Sequence, residues 1–79
     1  MIRLEIYQNN TKVWFWDNIR HRANGPTAVY SDGFQCWFWD GLKHRTDGPA
    51  IIRSNGHVEY WINGKELSEY EIMFMETTI

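Results

Sequence analysis

A chain of 79 residues with one cysteine and a formal net charge of −2 has the size of one small domain, and it excludes an intrachain disulfide framework. Five Trp, four Tyr and four Phe compensate for the small size, since each aromatic side chain can bury about 150–250 Å². All eight Lys and Arg residues lie within residues 1–65, and residues 66–79 are acidic, a distribution that selects no single partner class. The segment Met1–Glu5 has no apolar signal core and no apolar run approaches a membrane span, so we expect a cytoplasmic protein.

The strongest pattern in the chain is a block of residues that recurs after 23 positions. Residues 14–26 and 37–49 share Trp, Phe, Trp, Asp, His, Arg, Gly and Pro in register. At this period residues 4–26, 27–49 and 50–72 align as three rows, and the third row loses His-Arg and Gly-Pro, as expected of a terminal capping unit. The pattern predicts one domain over residues 1–79, built from three hairpin repeats.

Each row is predicted to form two strands joined by a tight turn, because aromatic and β-branched runs flank short Asn-, Asp- and Gly-containing segments. Asp40-Gly41 and Asn63-Gly64 indicate a second set of turns, followed by short returning segments such as Leu42–Arg45. Gly25-Pro26 and Gly48-Pro49 end the first two rows, because proline has no N–H for a sheet. The predicted strands are Arg3–Tyr7, Thr11–Trp16, Thr27–Tyr30, Phe34–Trp39, Ala50–Arg53 and His57–Ile62. The fold class is therefore mainly β, a twisted, single-layered antiparallel β-meander.

The end of the chain changes from a strand pattern to a helix pattern. Ser68 followed by Glu71 forms a capping-box signature, and Leu67 and Ile72 stand at the positions of a hydrophobic staple. We therefore predict a helix over about Glu69–Glu76 that caps one face or end of the sheet. Its apolar stripe at i, i+3 and i+4 consists of Tyr70, Met73 and Phe74.

Alternation along the strands makes both faces of the predicted sheet apolar. Trp14 and Trp16 share one face, with Val13 and Phe15 on the other, and the same pattern recurs 23 residues later with Trp37 and Trp39. In one interpretation, the helix covers one face and cross-strand aromatic pairs fill the other. In the second, a short helix leaves aromatic surface bare, and that surface binds a partner protein or a second copy of the chain.

The other repeated chemistry is basic. Arg20-His21-Arg22 and Lys43-His44-Arg45 lie one repeat apart and are expected to run side by side as an Arg/His stripe. The structural interpretation is that each His and Arg hydrogen-bonds its own loop or the repeated Asp17 and Asp40. The functional interpretation is an anion or nucleic-acid patch, which is disfavoured because the third row carries Glu66-Leu67-Ser68 at the same positions.

No motif for catalysis or for metal binding is present in the sequence. The residues His21, His44, His57 and Cys36 lack the paired short spacing of structural zinc sites. The chain also lacks a nucleophile elbow, a phosphate loop and a pair of catalytic carboxylates. At the 23-residue period Cys36 aligns with Val13 and Glu59, so the cysteine is not one of the repeated residues. We therefore expect a buried, inert thiol. The sequence therefore predicts a protein that is not an enzyme and that needs no cofactor.

The 23-residue period, the aromatic strand, the glycine turn and a His three residues after that glycine (Gly41 to His44) resemble MORN repeats. Residues 39–50, Trp-Asp-Gly-Leu-Lys-His-Arg-Thr-Asp-Gly-Pro-Ala, are more similar still to the MORN-like "His-Arg-x-Asp-Gly-Pro-Ala" repeats of small phage and large-virus proteins. The resemblance implies an antiparallel β-hairpin ribbon. It also implies a role in protein association, or in lipid binding.

The expected function is a non-enzymatic protein-binding module. The phage-type resemblance suggests a small phage-encoded inhibitor of a host defence complex, similar to an anti-CRISPR, that acts by steric blocking in the host cytoplasm. Two alternatives stay open: a self-assembling structural repeat protein, including a homodimer, and binding of nucleic acid or anionic lipid through the Arg/His stripe. The candidate partner-binding residues are Trp14, Trp16, Trp37, Trp39, Arg20, His21, Arg22, Lys43, His44 and Arg45.

Overall fold

The structure, a computed structural model, describes residues 1–77, with side chains described through residue 73. It confirms a mainly antiparallel β-meander that ends in one short α-helix. In the described part of the chain the strands are β1 (Ile2–Ile6), β2 (Lys12–Trp16), β3 (Ile19–Arg20), β4 (Ala28–Val29), β5 (Gln35–Cys36), β6 (Phe38–Trp39), β7 (Leu42–Lys43), β8 (Ile51–Ile52), β9 (Val58–Glu59), β10 (Trp61–Ile62) and β11 (Lys65–Glu66). The helix, α1, is Glu69–Thr77.

Seven of these strands form one antiparallel sheet. Its order is β1-β2-β4-β5-β8-β9, and β3 pairs with the last residues of β2. The pairs β6–β7 and β10–β11 form separate two-stranded hairpins. A short hairpin therefore recurs three times, as β2–β3 at one end of the sheet and as the separate pairs β6–β7 and β10–β11. We call these three the side hairpins.

Two predicted strands, Phe34–Trp39 and His57–Ile62, are each interrupted before their last two residues. The first interruption falls at Trp37, where the chain changes its hydrogen-bonding partner. The N–H of Trp37 donates to Ala50 in the next row at 2.8 Å, while the carbonyl of Trp37 accepts from His44 in its own side hairpin at 3.1 Å. The residue pattern of one strand carries no signal for such a change of partner, so the sequence predicted one continuous strand.

The two predicted sets of turns have different backbone geometry. In the first set, φ is positive at Asn10 (68°), Gly33 (94°) and Gly56 (90°), and the preceding Asn or Asp side chain accepts an N–H two residues on. These are three-residue loops that end in a left-handed residue. In the second set both central residues have positive φ, as at Asp40 (55°) and Gly41 (82°), which is the type I′ hairpin turn. The backbone of both turn sets therefore favours the Asn, Asp and Gly found there.

The buried core lies on one face of the seven-stranded sheet. Val13, Ala28, Cys36 and Ile51 are buried and lie opposite one another across β2, β4, β5 and β8. Half-buried rings surround this cluster and supply most of its aromatic packing. The rings that pack against it are Phe15, Tyr30, Phe34, Phe38 and Trp61. Aromatic residues from all three rows thus pack around the core.

The capping box of α1 is confirmed, but the two described residues of the predicted apolar stripe face solvent. Glu71 Oε1 accepts from the backbone N–H and the hydroxyl of Ser68, both at 3.1 Å, and the N–H of Glu71 donates back to Ser68 Oγ at 3.3 Å. Ile72, at the staple position, is half-buried, whereas Tyr70 and Met73 are 70 % and 63 % exposed. The side chain of Phe74, the third member of the stripe, lies outside the described residues.

Candidate functional site

Two equivalent grooves lie beside the side hairpins, one for each of the first two repeats. Their volumes are about 380 Å³ and about 700 Å³. The first is lined by Ile2, Trp14, Trp16, His21, Arg22, Ala23 and Asn24. The second is lined by Trp37, Phe38, Trp39, His44, Arg45, Thr46 and Asp47, and by residues 22–26 of the preceding loop. The structure therefore brings together the tryptophans, histidines and second arginines that the sequence singled out.

In each groove an arginine lies over a tryptophan ring. The guanidinium carbon of Arg22 is 3.7 Å from the centroid of the Trp14 ring, and that of Arg45 is 3.9 Å from the centroid of Trp37. Each guanidinium also donates from Nη1 to the carbonyl of the proline four residues later, at 3.0 Å. These contacts hold each arginine within its own loop, so that the charge and the indole form one ordered surface.

The two repeated arginines differ in their ion pairing because one loop position differs between the repeats. Asp47 accepts a hydrogen bond from Arg45 Nε at 2.9 Å, which neutralises the guanidinium of the second groove. Asn24 occupies the equivalent position in the first repeat, and among the described residues no carboxylate lies within ion-pair distance of Arg22. Arg22 lines both grooves, so the uncompensated positive charge lies at the boundary between them, whereas Arg45 is paired with Asp47.

The two repeated histidines join neighbouring side hairpins. His21 Nδ1 accepts the backbone N–H of Asp40, and His44 Nδ1 accepts that of Asn63, both at 2.9 Å. The His21 ring also lies 4.0 Å from the Trp39 ring, centroid to centroid. Each histidine thus reaches the turn of the following repeat, which explains why the last row has none. Arg22 and Arg45 thus bond their own loops, as the structural interpretation expected, whereas the histidines bond backbone N–H groups in the turn of the following repeat, at Asp40 and Asn63.

A row of exposed apolar side chains runs across the same side of the molecule. Trp16 lies opposite both Ile2 and Ile19 in the sheet, and Trp39 lies opposite Leu42. Trp16 is 48 % and Trp39 46 % exposed, whereas Trp14 and Trp37 are half-buried under their arginines. We call Ile2, Trp16, Ile19, Trp39 and Leu42 the apolar row.

The packing of the turns makes the apolar row continuous from one side hairpin to the next. A Cβ added at Gly41 would lie 3.2 Å from Cγ2 of Ile19, and one at Gly64 would lie 3.3 Å from Cδ2 of Leu42. Each aliphatic side chain therefore already fills the space beside the turn of the next hairpin. The side hairpins are also joined by backbone hydrogen bonds from Gly41 N–H to the carbonyl of Arg20 (3.0 Å) and from Gly64 N–H to that of Lys43 (2.8 Å).

The remaining two predicted site residues, Arg20 and Lys43, lie on the other face, near the core. The guanidinium of Arg20 is 5.6 Å from the centroid of Phe38, and the ammonium of Lys43 is 4.3 Å from that of Trp61. The predicted Arg/His stripe is therefore divided between two faces. Together with Arg3, whose guanidinium lies 4.5 Å from the Phe15 centroid, these residues alternate cations and rings. We call this set the cation–aromatic row: Arg3, Phe15, Arg20, Phe38, Lys43 and Trp61.

Two titratable groups near the cation–aromatic row have shifted pKa values. Burial raises the pKa of the Cys36 thiol, and the positive charge of Arg20 offsets only part of that effect. A thiol of this kind remains protonated and unreactive. In contrast, hydrogen bonds from Arg53 and from the indole N–H of Trp61 lower the pKa of Glu59. Glu59 is therefore ionised, and it accepts the indole N–H of Trp61 at the end of the row.

Sequence reasoning missed the aliphatic half of the groove surface. Leu42 was placed in a returning segment without a role, Ile19 was given no role, and Ile2 lies outside the repeat alignment. The recurrence of an aliphatic residue directly after each Asp-Asn or Asp-Gly turn was the available signal. Their exposure, however, depends on the stacking of separate hairpins, which strand alternation within one segment does not predict.

The functional conclusion rests on the residues described above, because comparisons with known proteins found no match. No protein-family model, curated protein or solved structure matches the chain significantly. Within the described residues, no three His, Cys, Asp or Glu side chains lie close enough together to hold a metal ion. The one helix in this part of the chain is also too short to cross a membrane.

Proposed function

We propose that this protein is a non-enzymatic protein-binding module that contacts its partner through the apolar row and the two grooves beside it. The observation that carries the proposal is the exposure of Trp16 and Trp39, at 48 % and 46 %, in a continuous row with three exposed aliphatic side chains. Exposed apolar surface rimmed by polar groups is typical of protein interfaces, and Trp and Arg are enriched among the residues that dominate their binding energy.

The order of the surface supports the same proposal. Arg22 and Arg45 are held over Trp14 and Trp37 by hydrogen bonds to their own loops, so binding would immobilise few additional side chains. The two grooves repeat the same residues in adjacent positions, which suits a partner that inserts two protruding side chains. The uncompensated charge of Arg22, which lines both grooves, favours an acidic group of the partner between them.

The partner is proposed to be a host protein, in line with the resemblance to phage-type MORN-like repeats. In that proposal the chain is a small inhibitor that covers a functional surface of a host defence complex, as an anti-CRISPR does. Expression of the protein in a host that carries such a system should restore phage plating. The variant Trp16→Ser/Trp39→Ser should not restore it, although it should accumulate to a similar level.

The direct test measures the affinity of these variants for the partner recovered from host cells by cross-linking. Removing two central indoles should weaken binding by about tenfold or more, because such anchors dominate interface energy. As a matched control, Val58→Ser/Met73→Ser removes exposed apolar surface from β9 and α1 and should leave the affinity unchanged. Equal losses in the two double variants, or the absence of any stoichiometric partner, would overturn the proposal.

A second candidate function is binding of nucleic acid or anionic lipid, favoured by the cation–aromatic row. Lys43 and Arg20 lie over aromatic rings on one face of the protein. The opposing consideration is that the cations cover the rings on which bases would stack. Such binding should weaken steeply as salt concentration rises. Absent or salt-independent binding would remove this candidate.

A further inference from the structure

The first strand, β1, is an open edge of the seven-stranded sheet, and it exposes three large aliphatic side chains. In the sheet order β1 is the first strand and pairs only with β2. It spans five residues, whereas β9 at the opposite edge spans two. Ile2, Leu4 and Ile6 lie on one face of β1 and are 67 %, 44 % and 59 % exposed. A long apolar edge of this kind is a template for pairing with another strand.

The backbone of β1 is oriented so that the same three residues can pair outward. Tyr7 N–H donates to Thr11 at 2.9 Å, and the carbonyl of Met1 accepts from Asp17 at 3.3 Å. In an antiparallel pair the residues that bond across the ladder alternate, so the odd-numbered residues of β1 direct their N–H and C=O groups to β2. The even-numbered residues Ile2, Leu4 and Ile6 direct theirs to the open edge.

We propose that two copies of this chain associate by antiparallel pairing of β1 with β1, with Leu4 opposite Leu4 of the second copy. In this register Ile2 lies opposite Ile6, and Arg3 lies opposite Glu5. Every outward-directed residue of one strand then meets an outward-directed residue of the other. The apolar side chains form cross-strand pairs on one face, and two opposite-charge pairs form on the other.

Charge selects this register over its neighbours. Outward-directed residues of one β1 strand pair only with outward-directed residues of the other. The two strands can therefore shift past each other only in steps of two residues, which keep even residues opposite even residues. One such step places Arg3 opposite Arg3 of the second copy, and the step in the other direction places Glu5 opposite Glu5. Like charges directly opposite each other in a sheet are destabilising. The segment Ile-Arg-Leu-Glu-Ile is therefore complementary to itself in one register only.

Both charged groups are accessible for this pairing. The Arg3 and Glu5 side chains are 48 % and 38 % exposed, and within one chain Arg3 Nη2 lies 3.8 Å from Glu5 Oε2. Pairing would replace this contact with two facing ion pairs. It would also place Ile2, and with it the first groove, close to the two-fold axis. The dimer would then present its two first grooves side by side, but its formation is independent of the proposed function.

The test measures oligomeric state by sedimentation equilibrium over a wide concentration range, on the chain with no residues added before Met1. The native chain is expected to show a reversible monomer–dimer equilibrium. The interface formed by one five-residue strand is smaller than the standard size of about 1,600 Å², so a weak dimer is expected. A strict monomer at every concentration would overturn the proposal.

Charge reversal tests the register. Arg3→Glu alone and Glu5→Arg alone each create two like-charge pairs and should weaken dimerisation by about tenfold. An equimolar mixture of the two variants should recover a dimer, now a heterodimer, because each reversed side chain faces an opposite charge. As a matched control, Lys65→Glu makes the same change of charge in β11 and should leave dimerisation as it is in the native chain.

The mixture separates pairing from folding, since a folding defect in one variant is not repaired by adding the other. If the mixture is no more dimeric than its components, the proposed register is wrong. Should Arg3→Glu fail to fold because it loses the contact with Phe15, Leu4→Lys provides a second test. That substitution places two ammonium groups opposite each other at the two-fold axis. Undiminished dimerisation by Leu4→Lys would also overturn the proposal.

Discussion

Arg22 and Arg45 depend on a glycine three residues further along the chain. A Cβ at Gly48 would lie 2.9 Å from the guanidinium carbon of Arg45, and one at Gly25 would lie 3.1 Å from that of Arg22. The guanidinium therefore occupies the space between the indole and the glycine Cα. The repeated Trp, Arg and Gly are parts of a single packing unit, although the Trp lies eight residues before the Arg in each row.

At this scale, we expect Gly48→Ala to destabilise the protein through Arg45. The new methyl group would displace the guanidinium from the ring of Trp37 and from the carbonyl of Pro49. The loss of a cation–π contact and a charged hydrogen bond should cost about 1–2 kcal/mol, measured by urea unfolding with tryptophan fluorescence. In the background of Arg45→Ala the same substitution should cost much less, as a double-mutant cycle would reveal. Equal costs in both backgrounds would show that contact with Arg45 is not the cause.

At the scale of elements, the side hairpins are held together by few contacts, and the histidine bonds are among the most specific. We expect His44→Ala to cost about 0.5–1.5 kcal/mol, because the exposed N–H of Asn63 exchanges its acceptor for water. His44→Asn should retain most of the stability, since its side-chain oxygen can occupy the position of Nδ1. Chemical denaturation of the two variants measures the difference. Equal destabilisation by Ala and Asn would indicate that ring packing, rather than the hydrogen bond, is what matters.

The start of α1 should depend on pH through its capping box. Hydrogen bonds from the backbone N–H and the hydroxyl of Ser68, together with the charge of Lys65, lower the pKa of Glu71. Since the unfolded chain has the ordinary Glu value of about 4.3, the stabilisation is complete above that pH. It is lost as the pH falls through the lowered pKa of the folded state.

We therefore expect the first turn of α1 to fray on acidification, as measured by Cα chemical shifts of residues 69–73. Glu71→Gln retains an acceptor for the capping box but cannot titrate, so its helix should fray much less with pH. An identical pH profile in the native chain and in this variant would contradict the assignment to Glu71.

At the scale of the whole molecule, stability is a property of neighbouring rows. In each of the first two rows, the histidine accepts a backbone N–H from the turn of the next row, and an aliphatic side chain packs against that turn. The small core of Val13, Ala28, Cys36 and Ile51 is likewise shared across all three rows. Such an array gains stability from each interface between neighbouring repeats.

We predict that a second copy of residues 27–49, inserted after Pro49, will produce a longer folded chain. The insertion supplies a further Asp-Gly turn for His44 and a third groove equivalent to the second. Its urea unfolding should remain cooperative, with a steeper dependence on denaturant and a higher midpoint, because more surface is buried. As a control, the same insertion with His44 and its copy in the inserted repeat both changed to Ala should raise the unfolding midpoint less. A lower midpoint for the unaltered insertion would contradict the nearest-neighbour description.

Much of the local structure could be predicted from the residues themselves. The capping box at Ser68 and Glu71 and the turns at Asp40 and Asn63 follow from short-range chemistry, and each is present. The break at Trp37 and the exposed helix face at Tyr70 were missed. Both depend on which distant segment supplies a hydrogen-bond partner or a covering surface, and local patterns carry no such information.

By itself, the sequence determined the repeat period, the turns, the antiparallel meander and the short terminal helix, because these depend on residues close together in the chain. Only the tertiary structure decided that Trp14 and Trp37 lie under arginines while Trp16 and Trp39 face solvent. It also decided that Arg20 and Lys43 lie on the face opposite the grooves, over Phe38 and Trp61. Alternation along a strand assigns two tryptophans to the same face, but it is the loop of each repeat, folding back over one of them, that separates their environments.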